Sequence, residues 1–179
     1  MPEIEIRPAI AADIASLVAI DHTYSSDYVW QMELQVEEGR IGISFREIHL
    51  PRSVRVDYPR PARPLADNWT ERHGLLVAIH NSEVVGYISM MLNIAPNTAW
   101  TTDLVVVRRL RRQGIGSTLV LAAQEWGENH ACRRLVLEMQ PKNYPAIHLA
   151  QKLGFDLCGY NDLYYTNHDI ALFFARSLR

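Results

Sequence analysis

The sequence predicts one mixed α/β domain in which strand and helix alternate only in the second half. Three observations carry this. Apolar runs such as "GLLVAI" and "LVVV" are strand-sized, and none approaches the length of a membrane span. From Ile115 and again from Asn143 the apolar spacing becomes helical. The 179 residues suit one domain with a core (1–179) and are too few for two comfortable ones.

Each element follows from local pattern. "EIEIRPA" alternates apolar and charged, so Glu3 to Arg7 reads as a strand. Ile14, Leu17 and Val18 then stand at helical spacing behind Asp13, a plausible cap. Residues Ser25 to Glu38 read as helical, and "GRIGISFREIHL" returns to alternation with Ile41, Ile43 and Phe45 on one side. The stretch 51–64 carries four prolines and four arginines, which predicts an edge strand and an extended loop: a solvated connector or a rim touching substrate or a second subunit. Two strands joined by a tight turn at His80 to Glu83 follow, with Gly86 marking a bulge or a close backbone approach. "TAWTTDLVVV" is a strand buried on both faces around Leu104 to Val107. Ile115, Leu119, Ala122 and Trp126 line one helix face as far as about His130, and "RRLVLEM" is the next strand. Asn143, Pro145 and Gly154 punctuate a further helix as cap, first-turn proline and stop. "FDLCGYNDLYY" and "DIALFFARSL" close the chain as strands.

Composition narrows the function. A formal net charge of -2 argues against a general nucleic-acid binder. "MPEIEIRPAI" lacks the basic start and apolar block of a leader, so no membrane attachment is expected. Two cysteines, Cys132 and Cys158, are too few for a disulfide framework, which points to a reduced, cytoplasmic setting. The seven histidines form neither HxxxH nor HxH, so no metal is expected.

The stretch "RLRRQGIGSTLV" carries the clearest chemistry. A helix N-terminus presents unpaired N–H groups and the positive end of its dipole. Gly114 and Gly116 leave the amides of Gln113 to Ser117 accessible, and Arg111 and Arg112 add mobile charge, which suits a pyrophosphate. The spacing is not a P-loop, since no Gly-Lys pair occurs, nor a Rossmann GxGxxG, since position 119 is Leu.

With the strand before it, "LVVVRRLRRQGIGSTLV" resembles the acyl-CoA-binding signature of the GNAT superfamily of N-acetyltransferases, [QR]xxGx[GA] after a strand. "LVLEMQPKN" and "NYPAIHLAQKLGF" resemble the family's next strand and helix, in the family's order, so the likeness covers roughly 99–165. The resemblance implies a central twisted mixed sheet of about six to seven strands flanked by helices, with two parallel strands splayed around acetyl-CoA. It implies that the pantetheine pairs with Leu104, Val105, Val106 and Val107. The pyrophosphate would then sit on Arg111, Arg112, Gln113, Gly114, Ile115, Gly116 and Ser117, with Asn143 and Ala146 beside the cofactor.

An amine nucleophile, with a pKa near ~10.4, must lose a proton before attacking a thioester, and a backbone N–H such as that of Val106 must stabilise the oxyanion. Glu138, after three aliphatics, would have its pKa raised by burial and matches the base of the ribosomal-protein N-terminal acetyltransferases in this superfamily; a hydrogen-bonded or salt-bridged strand-end glutamate is the equal alternative. Asp103 is the second candidate base. The family's helix tyrosine, its usual acid, is replaced by Ala150, leaving Tyr160, Tyr164, Tyr165 or water. The ending "LYYTNHDIALFFARSL" resembles streptothricin acetyltransferases and equally protein N-terminal acetyltransferases. Glu33, Glu37, Glu38, Asp103 and Glu138 could line an acidic pocket for a small cationic amine of the streptothricin or aminoglycoside kind. A peptide or lysine acceptor is the alternative, and a non-catalytic acyl-CoA sensor a third reading. A homodimer is expected to cover the sheet edges.

Overall fold

The computed structural model describes residues 3–179; Met1 and Pro2, the start of the segment read as leaderless, lie outside the described residues. The chain runs β1 (Glu5–Pro8), α1 (Ile14–Ala19), β2 (Tyr24–Glu37), β3 (Arg40–Val56), α2 (Arg63–Asn68), β4 (Gly74–His80), β5 (Glu83–Met91), β6 (Thr98–Val106), α3 (Ile115–Asn129), β7 (Arg134–Met139), α4 (Tyr144–Lys152), β8 (Asp156–Asn161) and β9 (Ala171–Ser177). Seven strands form one sheet in the order β1-β4-β5-β6-β7-β9-β8. Only β6 and β7 pair in parallel, so the sheet is mixed as expected. Helices α3 and α4 cover one face over a core that includes Ile88, Leu119, Leu135, Ile147 and Phe174. The smaller core on the other face joins Leu17 of α1 and Leu65 of α2 to Val77 and Val105.

The stretch Ser25 to Glu38 is not helical. It is β2, paired with β3 from Tyr24↔Val56 to Glu37↔Arg40. A period of two is present, with Tyr28, Trp30, Met32, Leu34 and Val36 on one side and Gln31, Glu33, Gln35 and Glu37 between them. Helix-favouring Gln, Glu, Met and Leu obscured it, and pairing with β3 overrides their propensity. At its base the hairpin docks on the domain through Trp30 N–H to Pro141 O at 3.0 Å and Trp30 against Phe174. At its tip Leu34, Val36, Ile41 and Ile43 are exposed.

The Pro/Arg segment is part strand and part loop, as expected, and ends in a short helix. Its first part continues β3 through Pro51 to Val56, and Pro64 starts α2 in the first turn, where proline is tolerated. Between them residues 57–62 form a strap across the sheet. The β4–β5 turn places both Asn81 and Ser82 at positive φ, 49° and 63°, as a tight hairpin requires. Gly86 does mark a close approach: a Cβ there would lie 2.6 Å from the Val105 carbonyl oxygen.

Candidate active site

The site begins where β6 and β7 separate. Their parallel register ends at Thr101↔Leu137. Across β5 the register jumps from Met90↔Thr101 to Ser89↔Asp103, leaving Thr102 as an extra residue. Such a bulge bends its strand, and here it carries β6 away from β7. Val107 N–H donates to Val85 O at 2.8 Å. By antiparallel alternation the N–H and C=O groups of Leu104 and Val106 therefore face the gap. These two side chains are half-buried while Val105 packs into the smaller core, so the strand is not buried on both faces as expected. One of its faces is the wall of a cavity.

That cavity has a volume of about 410 Å³ and runs from β6 to α4 and the turn before α3. Leu104, Val105, Val106, Arg111, Arg112, Gly114, Gly116, Ser117, Asn143 and Ala146 line it. Val107, Gln113 and Ile115 do not. The Val107 amide is spent on Val85, Gln113 is exposed, and the Ile115 side chain belongs to the core.

Gly114 caps α3 with φ 91°, a conformation that favours glycine. The first intrahelical bond is Thr118 N–H to Gly114 O at 3.0 Å, which leaves the Ile115, Gly116 and Ser117 amides at the open end of the helix. A Cβ at Gly116 would stand 3.3 Å from Leu149 Cδ2, so the opening there depends on a hydrogen in place of a side chain. This cradle fits a pyrophosphate. Arg111 is not the mobile cation expected. Its Nε donates to Val106 O at 2.8 Å, Nη1 to Thr23 O at 2.6 Å and Nη2 to Asp21 O at 2.9 Å, which ties the chain before β2 to the turn. Arg112 remains the exposed cation at the rim.

Asn143 performs the predicted capping role, its Oδ1 accepting from Ala146 N–H at 3.2 Å while the residue also lines the cavity. Ala150 faces the core instead of the cavity and is fully buried. Tyr160 stands against Phe45, away from the cavity. The tyrosines that do line the cavity are Tyr24 and Tyr58, which sequence reasoning passed over. One lies just before the stretch misread as a helix and the other in the supposed connector. Tyr24 donates to Gln140 Oε1 at 2.8 Å, and burial pushes its phenol pKa up.

On the opposite sheet face each predicted acid meets an arginine. The Glu138 side chain is fully buried. Its Oε2 accepts from Trp100 Nε1 at 2.8 Å and from Tyr164 OH at 2.9 Å, and its Oε1 lies 2.5 Å from Arg60 Nη2. The carboxylate is thus held by three partners, as the hydrogen-bonded or salt-bridged alternative has it. Asp103 accepts from Thr102 Oγ1 at 2.9 Å and from Tyr58 OH at 3.2 Å, with Arg72 Nη1 at 3.6 Å. Burial, then Glu138, pushes Tyr164 up to about 12, and the same causes raise Tyr165. Burial works against the charge on Arg60, but Glu138 and Asp103 outweigh it and raise its pKa. Glu33, Glu37 and Glu38 are exposed at the hairpin tip and do not join an acidic pocket. Tyr164 and Tyr165 lie in the turn after β8, not in a strand. Two smaller hollows flank this cluster, of about 30 and about 120 Å³. Among the described residues no group of three or more metal-type ligands forms, and no helix is long and apolar enough to cross a membrane.

His22 also lines the main cavity. Its Nδ1 lies 2.6 Å from Ile20 O and its Nε2 2.8 Å from Tyr87 OH. Burial holds its pKa below the ordinary 6.5. The unfolded chain therefore takes up a proton near pH 6.5 before the folded chain does, and stability falls as the pH drops below about 6.5. A second loss follows below the usual Asp value of 3.8. There Asp13, held low chiefly by its hydrogen bond from Arg7 and further by the Ile10 amide, is protonated. Melting temperature followed from pH 8 to 5 should decline in wild type and stay nearly flat in His22→Gln. Equal slopes would remove His22 as the source.

A profile described as the acetyltransferase (GNAT) family matches residues 43–155. An N-alpha-acetyltransferase of Saccharolobus solfataricus is 30% identical over 57% of this chain and 68% of its own length. A streptothricin acetyltransferase of Streptomyces lavendulae is 23% identical over 90% of this chain and 86% of its own. A Bacillus anthracis structure described as a streptothricin acetyltransferase in complex with acetyl coenzyme A superposes with a TM-score of 0.76. It has 21% identity, and the match covers 98% of this chain and all of that one.

Proposed function

The chain belongs to the acetyltransferase (GNAT) family, and on that premise we propose that it is a one-domain cytoplasmic enzyme moving an acetyl group from acetyl-CoA to a primary amine by direct attack. The acceptor is a small cationic amine of the streptothricin or aminoglycoside kind. The observation that carries the reading is the opening of β6 from β7 at Thr102, directly between a glycine cradle and a cluster of buried carboxylates.

Bound acetyl-CoA would supply an activated thioester carbonyl. The Ile115 to Ser117 amides and Arg112 would hold the pyrophosphate end, and the gap-facing groups of Leu104 would hold the pantetheine arm, since the Val106 carbonyl already accepts from Arg111. The Val106 N–H serves as an oxyanion donor. Both acids are engaged, and for the base the link to the cavity through Tyr58 favours Asp103 over Glu138. Tyr58 lines the main cavity and both hollows and donates to Asp103 Oδ1. As the amine nitrogen bonds to the carbonyl carbon and the C–S bond breaks, with the thiolate leaving to solvent, Tyr58 accepts the amine proton and passes its own to Asp103.

Thiol release over a panel of amines and peptides tests the reading. Turnover with diamines or streptothricin supports it. Turnover with peptide N-termini alone favours the protein-acetylating alternative, and none at all, despite donor binding, favours a sensor. Tyr58→Phe and Asp103→Asn should each lower kcat by about 10²-fold with the acetyl-CoA KM unchanged. An unaltered kcat in both would return the proton to solvent.

A further inference from the structure

The fully buried carboxylate of Glu138 is met by a cation from an unexpected quarter. Arg60 comes from the strap of residues 57–62, outside any helix or strand. Its Nη1 donates to Thr102 O at 3.2 Å, and its guanidinium carbon lies 5.1 Å from the Tyr165 ring centroid and 5.8 Å from that of Tyr164. A carboxylate, a carbonyl and two aromatic rings around one cation form a receptor for an organic ammonium or guanidinium group. The same side chain is a partition. Arg60 lines both the 30 Å³ and the 120 Å³ hollow, on either side of the strap.

We propose that the cage of Glu138, Tyr164 and Tyr165 is the subsite for a second cationic group of the acceptor, and that Arg60 is its internal occupant, displaced when the acceptor binds. The subsite rests on the amine-acetylating reading and narrows it to acceptors carrying two cationic groups, one to react and one to anchor. The exchange is feasible because it leaves no buried charge alone: one cation replaces another on Glu138. Arg60 has a way out, since its side chain is already 29% exposed. Pro59 and Pro61 fix φ on either side of it, so the strap moves as a stiff piece. Its withdrawal would join the two hollows.

The test uses the full chain with Arg60→Ala and methylguanidinium as probe, titrated calorimetrically so that no turnover is needed. The probe should bind the variant at least about ten-fold more tightly than wild type, and adding Glu138→Gln should abolish that binding. In thiol-release assays the diamine KM should fall about ten-fold in Arg60→Ala while the acetyl-CoA KM stays unchanged. Arg60→Met, which keeps the apolar stem over the rings, serves if the alanine variant does not fold. Lack of probe binding in a folded variant overturns the subsite, as does a diamine KM that is unchanged or raised. If no amine is acetylated, the function reading fails by itself and the probe titration still decides the cage.

Discussion

Gly116→Val is expected to weaken acetyl-CoA binding by about 100-fold or more. The Cβ would come 3.3 Å from Leu149 Cδ2 before its two methyls are added, and a branched side chain at the first turn would crowd an anion approaching the neighbouring amides. Losing two hydrogen bonds to a charged phosphate costs about 3–6 kcal/mol at roughly 1.5–3 kcal/mol each, so the affinity should collapse while the fold persists. Gly116→Ala meets a flexible leucine terminus and should lose far less. Arg112→Glu should weaken binding independently, because it sets a negative charge beside the phosphates at the exposed rim. Isothermal titration with acetyl-CoA checks the series. Unchanged affinity in Gly116→Val would refute the pyrophosphate assignment.

Gly86→Ala is expected to be the most damaging substitution for stability. Its Cβ would stand 2.6 Å from the Val105 carbonyl oxygen and 3.3 Å from Val106 Cα, both backbone atoms that cannot rotate aside. The two central strands must separate, at a cost of about 3 kcal/mol. Because the displaced residues are the ones that wall the donor cavity, acetyl-CoA affinity should fall with stability. Gly42→Ala is the control, since its nearest neighbour would be 3.7 Å away. Urea unfolding should show a large midpoint shift for the first and little for the second. Similar shifts would mean that the strands adjust more freely than their packing implies.

The donor half of the site was legible in the sequence because its signals are local. Gly114 must adopt φ 91°, Asn143 must cap α4, and the period from Ile115 must be helical; each depends on residues within a turn or two. The acceptor half was not legible for the opposite reason. Glu138 was singled out correctly as a buried acid, but its role depends on Arg60, Trp100 and Tyr164, which come from three separate segments. Tyr58 and Arg60 sat in a stretch that read as a connector or as a rim touching substrate, with nothing local to single these two residues out. Arg111 lines the cavity as expected, but its bonds to the carbonyls of Asp21 and Thr23 could not be read from the sequence.

The sequence by itself determined the alternation of strand and helix, the glycine cradle, and the family through which the acyl donor is assigned. Those features rest on backbone conformation and hydrophobic period, which neighbouring residues set. Only the tertiary structure decided that Ser25 to Glu38 is a strand, that Ala150 belongs to the core, and that each buried acid has an arginine. Cross-strand pairing and charge compensation act between groups far apart in the chain, and a buried carboxylate takes its chemistry from whichever cation the fold brings to it.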